Sequence, residues 1–121
     1  MCIDRRMGLE LINIVDTIEI MENYLFKIRP PEHIREKLDI GYRIDNQSVI
    51  LFEIRPMFKN PDKNQEHDYA KATFIKGSNK WRVYWRRANL KWYPYEHHLE
   101  TSSLIEFVNL VEEDKYYCFK G

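Results

Sequence analysis

The residues with the clearest chemical potential lie in one basic and aromatic stretch, from Lys80 to Tyr95. Cationic side chains neutralise phosphates, and flat rings stack on unpaired bases. Because side chains alternate along a strand, one face would carry arginines and a tyrosine while tryptophans fill the other. A neighbouring strand would extend the first face with Lys91, Tyr93 and Tyr95. The stretch predicts a nucleic-acid-binding surface formed by Arg82, Tyr84, Arg86, Arg87, Lys91 and Tyr93.

The same stretch also fits an ordinary solvated sheet face. Trp81, Trp85 and Trp92 would then be core residues packed under the helices. Arg82 and Arg86 would meet water, balanced across the sheet by acidic side chains. The candidates for that balance are Glu53, Asp39 and Asp45.

A second candidate group consists of three carboxylates and a lysine: Glu53, Glu66, Asp68 and Lys71. Metal-dependent nucleases use carboxylates to hold Mg²⁺ and a lysine to orient water or stabilise charge. Here Arg55 follows Glu53 two residues later, and an arginine stays protonated and is a poor base. The metal site at Glu53, Glu66 and Asp68 is therefore a weak alternative, and a surface pair of Glu53 with Arg55 or Arg43 is simpler.

The remaining reactive residue types form no recognised catalytic pattern. His67 and the pair His97–His98 could offer metal ligands from two loops, but there is no HExxH motif. Cys118 lies in an aromatic tail, where burial makes a thiol inert. There is no GxSxG elbow, and four glycines form no phosphate-binding loop. We therefore predict no catalytic residue, metal or cofactor.

The apolar pattern predicts a helix at each end of the chain. Apolar residues recur at three- and four-residue steps from Leu11 to Ile28. Asn13 or Asp16 would instead cap a shorter helix, so residues 1–15 are an N-terminal extension or the start of the first helix. Residues 16–121 form a single α+β domain. Near the C-terminus, Ser103 and Glu106 match a capping box.

Alternating residues between the helices predict an antiparallel sheet. Strands are expected at 38–44, 49–55, 70–76 and 80–86, with a fifth at 90–95 as an option. Residues 57–68 are expected to form a loop, and Pro31 is expected to begin a short helix that ends at Arg35. The fold class is α+β: an N-terminal helix, a four- or five-stranded antiparallel sheet, and a C-terminal helix packed on one sheet face.

The predicted core draws on both helices and on four strands. Its members are Ile18, Met21, Leu25, Leu38, Ile40, Leu51, Ile54, Phe74, Trp81, Val83, Trp85, Leu104, Phe107 and Val108. The tail from Tyr116 to Phe119 is too apolar to stay in water, so we expect it to pack on the domain. Acids at the end of the C-terminal helix oppose the helix dipole and predict fraying there.

Composition favours one globular domain over a disordered or membrane protein. The chain has 121 residues, 44% hydrophobic and 31% charged, which is enough apolar content to form a core. No signal peptide or membrane span is recognised, and Cys2 and Cys118 give no disulfide framework, which predicts a cytoplasmic protein. A bond between these two cysteines stays open as an alternative.

The net charge is zero, but the charge is segregated. The segment from Tyr69 to Tyr95 holds seven cations and no acid, whereas the other parts of the chain hold twelve cations and all 19 acids. Local fields of this kind attract partners of opposite charge. The segregation therefore favours an anionic partner for the basic segment.

A set of short spans, spread along the chain, carries a family resemblance. They are Arg29-Pro30-Pro31, Tyr42-Arg43-Ile44, Ser48-Val49, Phe52 to Pro56, Ala70-Lys71-Ala72, Trp81 to Trp85, Asn89 to Trp92 with Tyr95, and Cys118 to Gly121. In order and spacing they resemble the small bacterial family known as domain of unknown function 3024, from about Asp16 to the last residue. Tyr93 stands where members often carry a histidine, which argues against acid–base or metal chemistry there. The resemblance implies a stand-alone bacterial protein and no particular activity.

Three functions from different classes follow. The first is a non-catalytic binding protein whose basic and aromatic sheet face contacts nucleic acid. The second is a protein-interaction or accessory protein, with a homodimer as one form. The third is a metal-dependent enzyme of the nuclease type. The spatial arrangement of the arginines and of the acids distinguishes them.

Overall fold

The computed structural model describes residues 11–120 and confirms the α+β class, with a helix at each end of an antiparallel sheet. The elements are α1 (Leu11–Ile28), β1 (Asp39–Asp45), β2 (Ser48–Pro56), β3 (Asn64–Ile75), β4 (Lys80–Arg86), β5 (Trp92–Pro94), β6 (Glu100–Thr101) and α2 (Leu104–Glu113). Cys2, and with it the alternative of a disulfide to Cys118, lies outside the described residues.

The sheet follows the chain in the order β1-β2-β3-β4-β5, and β6 also pairs with β4. β5 pairs with the end of β4 and β6 with its beginning, so two short strands share the same edge. β3 starts at Asn64, inside the segment expected to be a loop, because its polar first residues continue the ladder with β2. β6 was not predicted, since two residues are too few to show a period.

A β-bulge shifts the register in the middle of the sheet. Leu51 pairs with Ala70, but the next residue, Phe52, pairs with Asp68, which leaves Tyr69 as the extra residue. In a regular strand, residues three apart point to opposite faces. Because of the bulge, Asp68 and Lys71 lie on the same face.

One face of the sheet is apolar and carries both helices; we call it the helix-covered face. Its two rows of cross-strand neighbours are Tyr42-Leu51-Ala70-Trp85-Tyr93 and Ile44-Val49-Ala72-Val83. The two alanines leave room above β3, and Met21 of α1 and Phe107 of α2 are completely buried in the core cluster there. Burial of this apolar surface is the main stabilising contribution to the fold.

The buried stripe of α1 is rotated from the predicted one. Ile14, Thr17, Met21, Tyr24 and Ile28 are buried or half-buried, whereas the predicted core residue Ile18 is exposed. The Tyr24 hydroxyl donates a 2.8 Å hydrogen bond to Glu112 Oε2 on α2, and this contact turns that side of the helix inward. Contacts between the two helices, which the α1 sequence cannot reveal, decide the rotation.

The core prediction holds for one residue in each of α1 and β2, two in β4 and three in α2. Met21, Leu51, Trp81, Val83, Leu104, Phe107 and Val108 are all buried. Six others are only half-buried: Leu25, Leu38, Ile40, Ile54, Phe74 and Trp85. They come from α1, from the segment before β1 and from four strands, and each keeps part of its side chain open to water.

The segment between α1 and β1 forms turns, so the predicted short helix from Pro31 to Arg35 is wrong. Inside the predicted range the Ile34 N–H donates to Pro31 O at 2.8 Å and the Arg35 N–H to Glu32 O at 3.3 Å, and these turns do not continue into a helix. The end of α1 is tied to β1 by Arg29, which donates two hydrogen bonds of 2.7 and 2.6 Å to the Asp39 carboxylate. These bonds hold the pKa of Asp39 below its usual value.

Both ends of α2 are capped. Ser103 Oγ accepts the Glu106 N–H at 3.1 Å, as predicted, and the Glu106 carboxylate accepts the backbone N–H and hydroxyl of Ser102. At the other end Asp114 adopts the left-handed conformation, and its carboxylate accepts the N–H groups of Phe119 and Lys120. In place of a frayed end, this cap docks the end of the tail with Phe119 buried, whereas Tyr116 and Tyr117, which were also expected to pack, stay exposed.

Candidate functional site

The sheet face opposite the helices carries the polar and charged side chains; we call it the open face. Its central row crosses five strands through direct cross-strand neighbours: Arg43, Ile50, Lys71, Tyr84 and Pro94. On one side lie Gly41-Phe52-Asp68 and the pair Arg86-Trp92, and on the other lies Asp45-Ser48-Thr73-Arg82-Glu100. Cations and rings are therefore concentrated on β3, β4 and β5.

The floor of the open face is apolar near β1 and β2. Phe52 lies flat across Gly41, where an added Cβ atom would come within 2.8 Å of the ring. Arg43 also lies over this ring, with its guanidinium carbon 5.5 Å from the ring centre. Ile50 and Phe52 are buried although they lie on the open face, because long polar side chains cover them.

Asp68 is the carboxylate that balances Arg43 and Arg86 on the open face. Arg43 donates two hydrogen bonds to it, at 2.9 and 2.5 Å, and Arg86 Nη1 lies 3.5 Å from the same group. The Asp68 side chain is only 13% exposed, so its charge is largely enclosed by the two guanidinium groups. The expected balancing acids were Glu53, Asp39 and Asp45; Asp68 takes their place.

Lys71 is held by aromatic rings. Its ammonium nitrogen lies 4.8 Å from the ring centres of both Tyr84 and Trp92, a distance at which cation–π attraction operates. Burial lowers the pKa of Lys71. Within residues 13–120, neither Lys71 nor Arg82 has a carboxylate within 4.0 Å. Lys71 therefore remains available to an anion, and so does Arg82, which forms no ion pair with its cross-strand neighbour Glu100.

Three of the predicted binding residues lie together, and three do not. Arg82, Tyr84 and Arg86 lie on the open face, as alternation along β4 predicts. Tyr93 pairs with Trp85 and so belongs to the helix-covered face. There the Arg87 guanidinium carbon lies 5.1 Å from the Trp85 ring centre and 4.7 Å from that of Tyr93.

The other two aromatic and basic positions expected on this surface also lie elsewhere. Lys91 is exposed in the turn between β4 and β5, where its carbonyl accepts the Arg87 N–H at 3.1 Å. Tyr95, which was expected to extend the surface, is 1% exposed in the core. The basic and aromatic stretch is thus divided between two faces and a turn.

Trp92 takes the open-face place that was predicted for Tyr93. The connection from β4 sets Arg86 opposite Trp92, one residue away from the register that the prediction assumed. The prediction that Trp92 is a core residue is therefore wrong, whereas Trp81 is buried and Trp85 half-buried on the helix-covered face. The length of the β4–β5 connection was the only feature of the sequence that bears on this pairing. Length alone does not fix the register of two strands.

The acidic set considered for a metal site does not converge. Glu66 and Asp68 lie on the open face, where both approach Arg43. Glu53 points to the other side of the sheet and accepts hydrogen bonds from Arg55 at 3.3 and 3.4 Å. Among the described residues, no group of three His, Cys, Asp or Glu side chains could hold a metal ion. Strand alternation separates these carboxylates, which corrects the weak metal alternative.

The histidines and Cys118 lie away from the open face. His97 stacks on Tyr116 with ring centres 3.8 Å apart, and His98 Nε2 lies 3.4 Å from Glu106 Oε1. Cys118 and His97 line a cavity of about 160 Å³ at the end of the helix-covered face, and burial raises the pKa of the thiol. A raised pKa keeps the thiol protonated and unreactive at neutral pH.

Comparisons with known proteins give a family and no activity. No helix in the described part of the chain is both long enough and apolar enough to cross a membrane. No curated protein and no solved structure matches the chain. A family model described as Domain of unknown function (DUF3024) matches residues 10–121, which is nearly the whole sequence. The chain therefore belongs to the DUF3024 family.

Proposed function

We propose that this protein is a non-catalytic binding protein whose open face holds single-stranded nucleic acid. The observation that carries the proposal is the joint placement of Lys71, Arg82, Tyr84, Arg86 and Trp92 on one sheet face. Single-strand binding requires cations that follow a phosphate backbone and rings that stack on bases. The open face supplies both within three neighbouring strands.

The phosphate contacts would come from cations without a strong internal partner. Arg82 is exposed and Lys71 is held only by rings, so an incoming phosphate need not break an ion pair. Arg86 lies 3.5 Å from an Asp68 carboxylate that is already bonded twice by Arg43, and can therefore share its charge. Charge complementarity with a polyanion supports this part of the proposal.

Base contacts would come from Trp92 and Tyr84, which are both half-buried and keep part of each ring open. Base–aromatic stacking contributes about 1–3 kcal/mol per base, comparable with the cation–π contact that Lys71 would give up. A base in a duplex has both faces covered by its neighbours and cannot stack on a protein ring. The ring positions therefore favour a single strand over a duplex.

Asp68 determines which part of the open face the proposed nucleic-acid strand would follow. Its negative charge and its bonds to Arg43 make the β1 side of the face unfavourable for phosphate. The cations and rings away from Asp68 run from Trp92 through Tyr84 to Arg82, along β4 and β5, and Glu100 on β6 is the acidic neighbour at the Arg82 end. We place the nucleic-acid path along this line.

Fluorescence anisotropy with a labelled oligothymidine and a duplex of equal length tests the proposal. We expect the single strand to bind more tightly and its affinity to fall steeply with salt. Trp92→Leu should lose about 1–3 kcal/mol of binding free energy. Arg82→Gln should weaken binding and reduce the salt dependence by about one phosphate contact.

Two variants act as controls in the same assay. Lys27→Gln removes one exposed charge from α1, on the other side of the sheet, and should leave the affinity unchanged. Asp68→Asn removes a negative charge from the open face and should tighten binding. The proposal is wrong if neither nucleic acid binds, or if Lys27→Gln weakens binding as much as Arg82→Gln.

A further inference from the structure

The two edges of the sheet are protected very differently. The outer edge of β4 is covered by β5 and β6, and β5 ends at Pro94, which has no N–H to offer another strand. The opposite edge is β1, seven residues long, which pairs only with β2 in the described part of the chain. It contains no proline, and the bulge of the sheet lies elsewhere. Such an edge can accept another strand.

The chain itself caps only the start of that edge. The Ile40 N–H donates to its neighbour Asp39 Oδ1 at 2.8 Å, and Asp39 is fixed in turn by Arg29. A strand that pairs with β1 would therefore use the part from Gly41 to Asp45. A stretch of this length matches an ordinary strand.

An apolar surface of α1 lies beside the same edge. Val15, Ile18 and Phe26 are 55%, 42% and 90% exposed, although they repeat at helical spacing on one side of α1. Leu25 and Phe26 line a groove of about 380 Å³ together with Ile40 at the start of β1. The side of α1 that carries Tyr24 faces α2, so the Ile18–Leu25 side faces the β1 edge.

From these two observations we infer that the protein forms a homodimer in which β1 pairs antiparallel with β1 of a second copy. A two-fold axis perpendicular to the sheet continues the sheet across both copies and brings the two α1 helices together. Ile18, Leu25 and Phe26 would then pack across the axis. The open face of each copy remains accessible, so the dimer would be independent of nucleic-acid binding.

Charge complementarity favours a second copy of this chain as the partner. A pairing centred on Ile44, within the part of β1 that Asp39 does not cap, sets Arg43 of each copy opposite Asp45 of the other. On α1, exposed acids lie in the middle of the helix at Glu19 and Glu22, whereas its end carries Lys27 and Arg29. Antiparallel helices would bring the acids of each copy near the cations of the other.

Sedimentation velocity over a range of concentrations tests the dimer. We expect the native protein to have twice the 14.8 kDa mass of one chain. Phe26→Asp should give a monomer with unchanged circular dichroism, because this side chain is exposed in the single copy. Phe58→Asp is the matched control: Phe58 is 98% exposed in the β2–β3 connection and its replacement should leave the dimer intact.

Hydrogen exchange then locates the interface. The amides from Gly41 to Asp45 that point away from β2 should exchange slowly in the native dimer and quickly in Phe26→Asp, while β2 amides stay equally protected in both. A native protein that is monomeric at all concentrations overturns the inference, as does a dimer that survives Phe26→Asp. If the native protein is a dimer and Phe26→Asp is a monomer, but the β1 amides exchange at the same rate in both, the dimer does not form by pairing of the β1 strands.

Discussion

The two faces of the sheet use the same strands in opposite ways. On the helix-covered face, Val49, Leu51, Ala70, Ala72 and Val83 are all completely buried. On the open face the same strands carry arginines, a lysine and hydroxyl groups that are linked by specific polar contacts. For example, Ser48 Oγ and Thr73 Oγ1 lie 2.7 Å apart across β2 and β3. The helix-covered face contributes apolar burial, which has no preferred direction. The open face contributes hydrogen bonds and ion pairs, which depend on direction.

This difference separates stability from recognition. Apolar burial contributes in proportion to the area removed from water, so side chains on the helix-covered face should dominate the free energy of unfolding. Exposed ion pairs and cation–π contacts contribute little to stability. Variants of the exposed side chains on the open face should therefore alter binding while leaving the fold intact.

The largest effect is expected from truncation on the helix-covered face. Phe107 is 0% exposed, and Phe107→Ala should lower the free energy of unfolding by about 3–5 kcal/mol because it leaves a cavity. Arg82→Ala on the open face should change it by less than about 0.5 kcal/mol. Urea denaturation of both variants measures the contrast. Losses of similar size would show that the two faces do not divide these roles.

A smaller effect is expected where the open face is packed most tightly. Gly41→Ala places a Cβ atom 2.8 Å from the Phe52 ring, and the resulting overpacking should cost about 1–3 kcal/mol. The same change should cost less in a Phe52→Leu background, where the ring is gone. A double-mutant cycle by urea denaturation measures this coupling. Additive losses would mean that Phe52 is not what restricts this position to glycine.

The smallest effect is expected at the margin where the two faces meet, from the pair of Asp39 with Arg29. Hydrogen bonds from Arg29 lower the pKa of Asp39 in the folded protein. The pair's stabilisation is therefore present above the unfolded pKa, about 3.9, and is lost as pH falls through the folded pKa. The stability difference between the native protein and Asp39→Asn should be largest near neutral pH and shrink below about pH 4.

Arg29→Gln provides the matched control for this titration, because it removes the other partner of the same hydrogen bonds. It should abolish the same acid-dependent component in denaturation measured from neutral pH to pH 3. A difference that grows on acidification would contradict the sign of the pKa shift.

The sequence anticipated most elements because their signals are local. Alternation in β4 predicted its bounds and placed Arg82, Tyr84 and Arg86 on one face. The capping pair at Ser103 and Glu106 marked the start of α2 correctly. These features depend on residues within a few positions of one another, so they can be recognised from the sequence before the fold is known.

The candidate site was only partly predictable because its other members depend on register. The bulge at Tyr69 brings Asp68 and Lys71 to the open face together, and the β4–β5 pairing exchanges Tyr93 for Trp92. A one-residue change in register moves a side chain to the opposite face. The alternation of residue types along a strand and the overall composition do not reveal such a shift in register.

The amino-acid sequence by itself determined the fold class, the two helices, the positions of the main strands along the chain and the concentration of cations in one segment. Tertiary structure decided which of those cations share a face, which rings lie beside them and which carboxylate balances them. It also decided the rotation of α1, and thus which apolar residues stay exposed. The physical reason is that periodicity is a property of neighbouring residues, whereas register and rotation are settled by distant contacts that form only on folding.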